Sequence, residues 1–519
     1  MYLSVESLEN DVFNKIEQGD YNGALEILID FVYQVVYTSK RATATVFGSE
    51  RLDWLCLSIG EAVASLNPVT SEEKMSDVDV VIIASHFDRY GGHTLVVEDL
   101  IRAQPEKKYL ILLTNLLNAT DKDSMHKRFG SLSEVRVAPS GNALEKLRWL
   151  LMQLNAIKPG HIFLFNHHQD APAIAAMQPG VRSKVFFYHH ADHNLCLGVH
   201  LPGAIHIDCH NIGYYNCRLH EKLKDNLYLP LSVDDRGARP GNLEFMRDGL
   251  LRTCSCGTHI KFDPLYTYPY VELISKRLAL FAGVHFHIGG LPDGVLESIR
   301  RQLALDGVDT NRFIHIPWVD SLWSALIKHE IDLYISSFPI GGGRASIEAM
   351  GAGIPLLVHV GSLSRFHGAA DIVYPEAFSW KDPAEFEQCL SSLSPQTLKE
   401  HSKSARTYYE NNHTPQLMAG ELVNICRGEG KLIPPRVRPY SPDYLLRHLQ
   451  LTLFEMQPVI ERERQIAVLN QVVAARDSEI ASMLSSTSWR ITRPLRFGMK
   501  QLRRVLPLLN RIRRQIPVS

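Results

Sequence analysis

Residues 336–359 read SSFPIGGGRASIEAMGAGIPLLVH and follow the short apolar run 331–335. A proline leads into three consecutive glycines, a segment with helical spacing, a Gly-Ala-Gly stop and a second apolar run. That order predicts strand, glycine loop, helix, turn, strand. Glycines let the backbone approach a ligand closely. The helix start behind them offers unpaired N–H groups and the positive end of a dipole. The chemistry therefore points to an anion, and to phosphate first. The spacing is neither G-x-G-x-x-G nor G-x-x-x-x-G-K-[ST], which turns the reading away from dinucleotide and P-loop sites.

The same alternation extends in both directions. Short apolar runs at 78–87, 108–115, 161–166 and 184–190 predict strands, separated by helical stretches at 90–104 and 142–159. After the polar, turn-rich stretch SVDDRGARPGN (232–242), the pattern resumes through residue 359. Strands alternating with helices predict parallel sheets covered on both faces, so the expected class is α/β with two Rossmann-like domains facing a cleft. Ligands in such sheets bind beyond the carboxyl ends of the strands, which selects the loops 88–93, 166–170, 189–198, 255–261, 287–294, 317–321 and 339–346. Residues 1–72 read as an N-terminal helical region, with QGDYNGALEIL (18–28) similar to a single tetratricopeptide unit but without a second copy. The remaining segments are expected at 73–240, 241–430, 431–480 (a proline-rich linker and a coiled-coil-like helix) and 481–519 (a basic amphipathic tail).

Composition sets the outer bounds. The chain has 519 residues, enough for two or three domains, and a formal net charge of −1, so no global field draws it to nucleic acid. Its eight cysteines show no disulfide framework. The acidic N-terminus has no apolar signal-peptide core, and no uninterrupted apolar run reaches the ~18 residues of a spanning helix. A cytoplasmic protein, peripheral on the inner face of the cytoplasmic membrane, is expected.

Several residues carry candidate chemistry. Gly341, Gly342 and Gly343 free the backbone, Ser346 offers a hydroxyl, Arg344 brings charge, and Glu348 lies where a carboxylate can accept from a ribose diol. The same features also suit a tight βα turn with a capping carboxylate. In CSCGTHIKFDP, Gly257 and Lys261 follow a strand, and the lysine can neutralise a departing diphosphate without a metal. In RYGGHT, Gly91 and Gly92 form a turn with His93 at the helix start. FFYHHADHNLCLG (186–198) is the most histidine-dense stretch, and Asp192 beside His193 is a candidate general base. That stretch is too crowded along one extended segment for its side chains to hold a metal together, and no metal or other cofactor is expected. His287 stands at an expected strand end, where it can meet a nucleobase or sugar. Asp77-Val-Asp79 spells D-x-D but precedes its strand and reads as an ordinary turn.

The 341–355 segment resembles the nucleotide-sugar loop of GT-B glycosyltransferases, in which a glycine-rich turn, a helix with an acidic residue and a G-x-P exit bind the diphosphate and ribose of the sugar donor. The resemblance covers roughly residues 75–425 and is nearest to bacterial surface-polysaccharide enzymes, more loosely to O-GlcNAc-transferase-type enzymes. It implies that Gly341–Gly343 and Ser346 hold the diphosphate, that Glu348 binds the ribose, that Gly353 and Pro355 form the exit, and that Lys261 neutralises the leaving group. A His-Ala-Asp-His run like 190–193 supports Asp192 and His193 as acceptor-side groups. Many retaining members carry a second Glu eight positions before the ribose acid. Ile340 stands there, and the stereochemical outcome stays open. The implied activity is hexosyl or N-acetylhexosaminyl transfer from a nucleoside-diphosphate donor, UDP-sugar favoured, to a surface glycan such as O-antigen or capsule, or to a lipid-linked acceptor. Protein O- or N-glycosylation, a nucleotide-sugar epimerase and a non-catalytic scaffold are the alternatives.

The C-terminal region has its own logic. Residues 489–514 interleave nine Lys or Arg with Trp489, Ile491, Leu495, Phe497 and further apolar residues, the pattern of a segment lying on an anionic membrane surface. Residues 458–485 have helical apolar spacing suited to self-association or to a partner enzyme.

Overall fold

The alternating runs form two all-parallel sheets in the computed structural model, which describes residues 4–38, 42, 45–66, 77–87, 92–262, 266–361, 365–441, 443–497 and 499. The chain divides into two compact units, 1–452 and 453–519.

The first sheet holds β1 (Val80–Ala84), β2 (Tyr109–Leu113), β3 (Glu134–Val137), β4 (His161–Phe165), β5 (Lys184–His189), β6 (Ile205–Asp208) and β7 (Leu227–Tyr228), in the order β3-β2-β1-β4-β5-β6-β7. The second holds β8 (Leu251–Cys256), β9 (Gly283–Ile288), β10 (Phe313–Ile316), β11 (Leu333–Ile335), β12 (Leu356–His359) and β13 (Phe378–Trp380), in the order β10-β9-β8-β11-β12-β13. In each sheet the winding reverses beside the first strand, between β1 and β4 and between β8 and β11. Crevices for ligands open at such switch points. β3, β6, β7 and β13 have no counterpart among the expected strands. Their sequences, EVRV, IHID, LY and FSW, are too short and too polar to show an apolar run.

Each sheet buries side chains on both faces, as parallel sheets must. One face of the first sheet packs Ile83, Leu164 and Phe187 against the N-terminal helices Val5–Glu17, Tyr21–Tyr33 and Glu50–Leu66, which contribute Leu8, Leu25, Leu28, Leu55 and Ile59. Ser4 and Asp20 cap the first two of these helices. Asp53 ties the third to the sheet, accepting from the N–H groups of Gly198 at 2.7 Å and His200 at 2.8 Å. The opposite face packs Phe163, Phe165 and Tyr188 with Met418, Leu422 and Ile425 of the helix Pro415–Arg427. The chain thus returns to its first sheet after completing the second. Lys184 Nζ fixes the return by donating to the Cys426 carbonyl at 3.0 Å.

The second unit contains most of the helix Tyr444–Ser485 and the short helix Thr487–Ile491. Among the described residues, no helix is long and apolar enough to cross a membrane.

Candidate functional site

The glycine loop leaves β11 and opens directly into the helix Gly343–Gly351. A Cβ on Gly341 would lie 2.6 Å from the Gly368 backbone, so only glycine fits there. At Gly342 the space is filled by a charge, since a Cβ would stand 3.1 Å from Lys261 Nζ. Lys261 reaches this place from the turn His259–Phe262 after β8. Its turn is held by Gly257, whose φ of +154° favours glycine and whose carbonyl accepts from His287 Nε2 at 3.1 Å. Among the described residues the Lys261 ammonium has no hydrogen-bond or carboxylate partner. Burial pushes it below the usual lysine range, opposed by nearby Cys256. A buried cation without a counter-charge is costly. Beside a helix start with no side-chain cap among the described residues, it makes a receptor for an anion. Ser346 Oγ, also buried, has no hydrogen-bond partner among the described residues.

The structure thus gathers Gly257, Lys261, Gly341–Gly343 and Ser346. The other expected residues of this half are held elsewhere. His287 is fully buried with both ring nitrogens engaged, one by Gly257 and one by the Tyr270 hydroxyl at 2.8 Å, so it supports the Gly257 turn from inside the core. Arg344 donates to Asp99 at 2.8 Å and to the Ser232 carbonyl at 3.0 Å. Glu348 Oε2 accepts from the Trp323 N–H at 3.0 Å and so caps the helix Leu322–Lys328. Burial raises its carboxyl above the usual range.

In the first half, Gly91 lies outside the described residues. Gly92 begins the helix Gly92–Ala103 in open space. His93 Nε2 lies 3.2 Å from the His86 carbonyl. Its ring sits 5.3 Å from that of His167 and 5.6 Å from that of His190, while His86 stacks on His167 at 4.3 Å. Four histidines thus meet beyond the carboxyl ends of β1, β4 and β5. Burial holds the His167 imidazole down at about 3, with His86 and His93 adding to the effect. Burial likewise pushes His190 well below its ordinary value. His167 and His190 are therefore neutral at pH 7.

Asp192 is buried and lies 2.9 Å from His210 Nε2 and 3.8 Å from His193 Nδ1. Burial pushes its carboxyl up, but His210 and His193 outweigh burial and hold it below the carboxylate range. His210 is also the N-cap of the helix Asn211–Leu219, its Nδ1 accepting from the Gly213 N–H at 3.3 Å. That leaves Nε2 as the protonated nitrogen facing Asp192. The ring of His193 is 44% exposed, so the group opens to solvent on that side. His86 and His210 were not selected from sequence, and His167 only as part of the loop 166–170. His210 ends β6, a strand with no apolar signal, and a strand-end polar residue can be picked out only once the strand is known. Asp77 and Asp79 lie at the amino ends of the strands. Asp77 pairs with Lys108, and Asp79 accepts from the Lys108 N–H at 2.9 Å, as an ordinary turn does.

Solved structures share this architecture. A glycosyltransferase from Rickettsia africae aligns with a TM-score of 0.53 at 12% identity, covering 68% of this chain and 99% of that one. HepE from Anabaena, solved in complex with UDP, aligns at 0.52 with 13% identity, covering 68% and 100%. The fold is GT-B. At these identities the likeness establishes the fold alone. No protein-family model and no curated protein matches the sequence. In GT-B terms, the glycine loop and Lys261 belong to the C-terminal Rossmann-like half, and the two histidine groups to the N-terminal half.

Proposed function

We propose that the chain is a glycosyltransferase that moves a hexosyl or N-acetylhexosaminyl group from a nucleoside-diphosphate donor, UDP-sugar favoured, to a bacterial surface glycan or a lipid-linked acceptor. The observation that carries this reading is the Lys261 ammonium, without a partner among the described residues, against Gly342 at the start of the helix Gly343–Gly351. The HepE complex with UDP supports a nucleoside diphosphate as the anion. In the proposed reaction the diphosphate rests on the loop N–H groups and Lys261, and Glu348 holds the ribose. The acceptor oxygen bonds to the anomeric carbon. The bond from that carbon to the phosphate oxygen breaks, and its electron pair leaves with the diphosphate. Lys261 and the helix dipole stabilise the charge that develops there. The acceptor proton passes to Asp192, with His193 and His93 as the other candidate bases.

The test is thermal shift against UDP, GDP, dTDP and CMP and their sugars, since binding to the native state raises its stability by mass action. One nucleotide should stabilise the wild type and fail to stabilise Lys261→Ala. If none does, the reading fails. Binding without sugar transfer would mark a non-catalytic scaffold.

Attachment to an anionic membrane surface through residues 489–514 belongs to the same proposal, though 498 and 500–514 lie outside the described residues. In the described part, Arg496 stacks on Trp489 at 3.6 Å, and Ile491, Leu495 and Phe497 are exposed, which suits an interfacial segment. The full chain should float with anionic vesicles and release at high salt, whereas a chain ending at Asp477 should not float. The helix residues 458–485 carry Val459, Ile466, Val473 and Ile480 at seven-residue intervals, which suits pairing with a second copy or a partner enzyme.

A further inference from the structure

The parallel register of β5 and β6 pairs His189 with Asp208. Side chains alternate along a strand, so His206, two residues before Asp208, shares their face. The helix Asn211–Leu219 covers that face and brings Cys217 over it. His189 Nδ1, His206 Nε2, Asp208 Oδ1 and Cys217 Sγ all lie within 4.8 Å of one another, and the four residues are buried. Asp208 Oδ1 is 3.6 Å from His189 Nδ1, 3.3 Å from His206 Nε2 and 3.3 Å from Cys217 Sγ, and Cys217 Sγ is 3.4 Å from His189 Nδ1.

We propose that these four side chains form a tetrahedral metal site for Zn²⁺, distinct from the sugar-donor loop. Zinc bonds of about 2.0–2.3 Å to N, O and S place tetrahedral ligand atoms about 3.3–3.6 Å apart, which matches four of the six ligand-atom separations here. A carboxylate and a thiolate offset the two charges of the ion, and two neutral imidazoles complete the set. The buried site then carries no net charge, which is the condition for burying ions at low cost. The carboxylate ligand is held from outside the cluster, while His189 Nε2 and His206 Nδ1 have no partner among the described residues. Asn226 Nδ2 donates to the other oxygen of Asp208 at 2.6 Å, orienting the carboxylate. Gly213 lets the covering helix approach, since a Cβ there would stand 2.5 Å from Asp192 Oδ2 and 3.2 Å from Asp208 Oδ1. With four protein ligands the site has no open position for substrate, so the ion is structural. It clamps the helix Asn211–Leu219, whose N-cap is His210, against β5 and β6, and so fixes the imidazole that faces Asp192.

The test uses the full chain, purified without chelator and without a histidine tag. Elemental analysis should find one zinc per chain. Replacement by Co²⁺ should give the intense absorption of a tetrahedral cobalt–thiolate centre. Cys217→Ser should abolish the sulfur-to-cobalt band, and His206→Gln should release the metal, while UDP binding stays within about threefold of wild type. Wild-type protein that takes up neither Zn²⁺ nor Co²⁺ would overturn the proposal. So would uptake unchanged in both variants. If both variants fail to fold, the wild-type cobalt spectrum decides, and weak octahedral absorption without a sulfur band refutes the site.

Discussion

Arg344, one residue into the helix that opens from the glycine loop, donates to the Asp99 carboxylate at 2.8 Å and joins the two Rossmann-like halves beside the proposed phosphate site. Burial pushes the Asp99 carboxyl up, and Arg344 opposes that by favouring its charged form. Arg344→Ala should therefore leave a buried charge without its partner, a loss of about 3–5 kcal/mol. The double variant with Asp99→Asn should recover much of it, as a double-mutant cycle by urea unfolding would show. If Arg344 serves the bridge alone, nucleotide affinity will be unchanged in Asp99→Asn. Additive losses in the cycle would exclude the bridge.

Glu348 has two tasks in the proposed site, and they separate experimentally. Glu348→Ala should weaken nucleotide-sugar binding by about 1.5–3 kcal/mol, the value of a hydrogen bond to a charged group. It should also cost about 1 kcal/mol of stability, because the cap on the helix Leu322–Lys328 is lost. Calorimetric titration and thermal melting read the two effects. A variant that melts earlier yet binds as well as wild type would leave Glu348 a cap and nothing more.

Lys261→Ala should lower turnover more than ground-state binding, because the ammonium meets its largest charge as the diphosphate departs. A fall of about 10²–10³ in kcat is the scale for removing one such stabilising group. Equal losses in binding and turnover would make Lys261 a binding residue only. Turnover should not depend on added Mg²⁺ or Mn²⁺ if Lys261 and the helix start supply the positive charge that the departing diphosphate meets.

On the acceptor side, Asp192→Asn and His210→Ala should each depress kcat by about 10²–10⁴ with nucleotide binding intact, since a base acts on the acceptor proton. His193→Ala should do the same if its exposed ring relays the proton. Wild-type rates in all three variants would move the base to His93.

Asp53 gives a pH signature far from the site. Burial raises its folded carboxyl to about 6, opposed by the Gly198 and His200 N–H groups, whereas an unfolded aspartate titrates near pH 4. Between those values the folded chain holds a proton that the unfolded chain has released, so this contribution falls as pH rises from about 4 to about 6 and is level above. The loss is about 3 kcal/mol, from about two pH units at ~1.36 kcal/mol each. Asp53→Asn lacks this titration. The stability difference between variant and wild type, measured by urea unfolding, should shift toward the variant by that amount between pH 4 and pH 6.5. A constant difference would show that Asp53 titrates normally.

The sequence by itself determined what is local. Apolar runs broken by helical periodicity determine parallel sheets, because a strand buried on both faces can show no polar alternation. Three glycines before a helix determine a loop that suits an anion, because backbone freedom and the free N–H groups of a helix start are written in adjacent residues. Lys261 could be named for the same reason, lying just past a legible strand. The tertiary structure decided what depends on chain-distant neighbours. Glu348 caps a helix that begins 26 residues earlier in the chain, and Arg344 faces a carboxylate 245 residues away. His210 and the His189–His206–Asp208–Cys217 cluster became visible only through β6, whose four residues IHID carry no apolar run. A strand of that kind is made by its neighbours: β5 on one side and β7 on the other supply the hydrogen bonds, and pairing, not composition, sets which polar side chains meet.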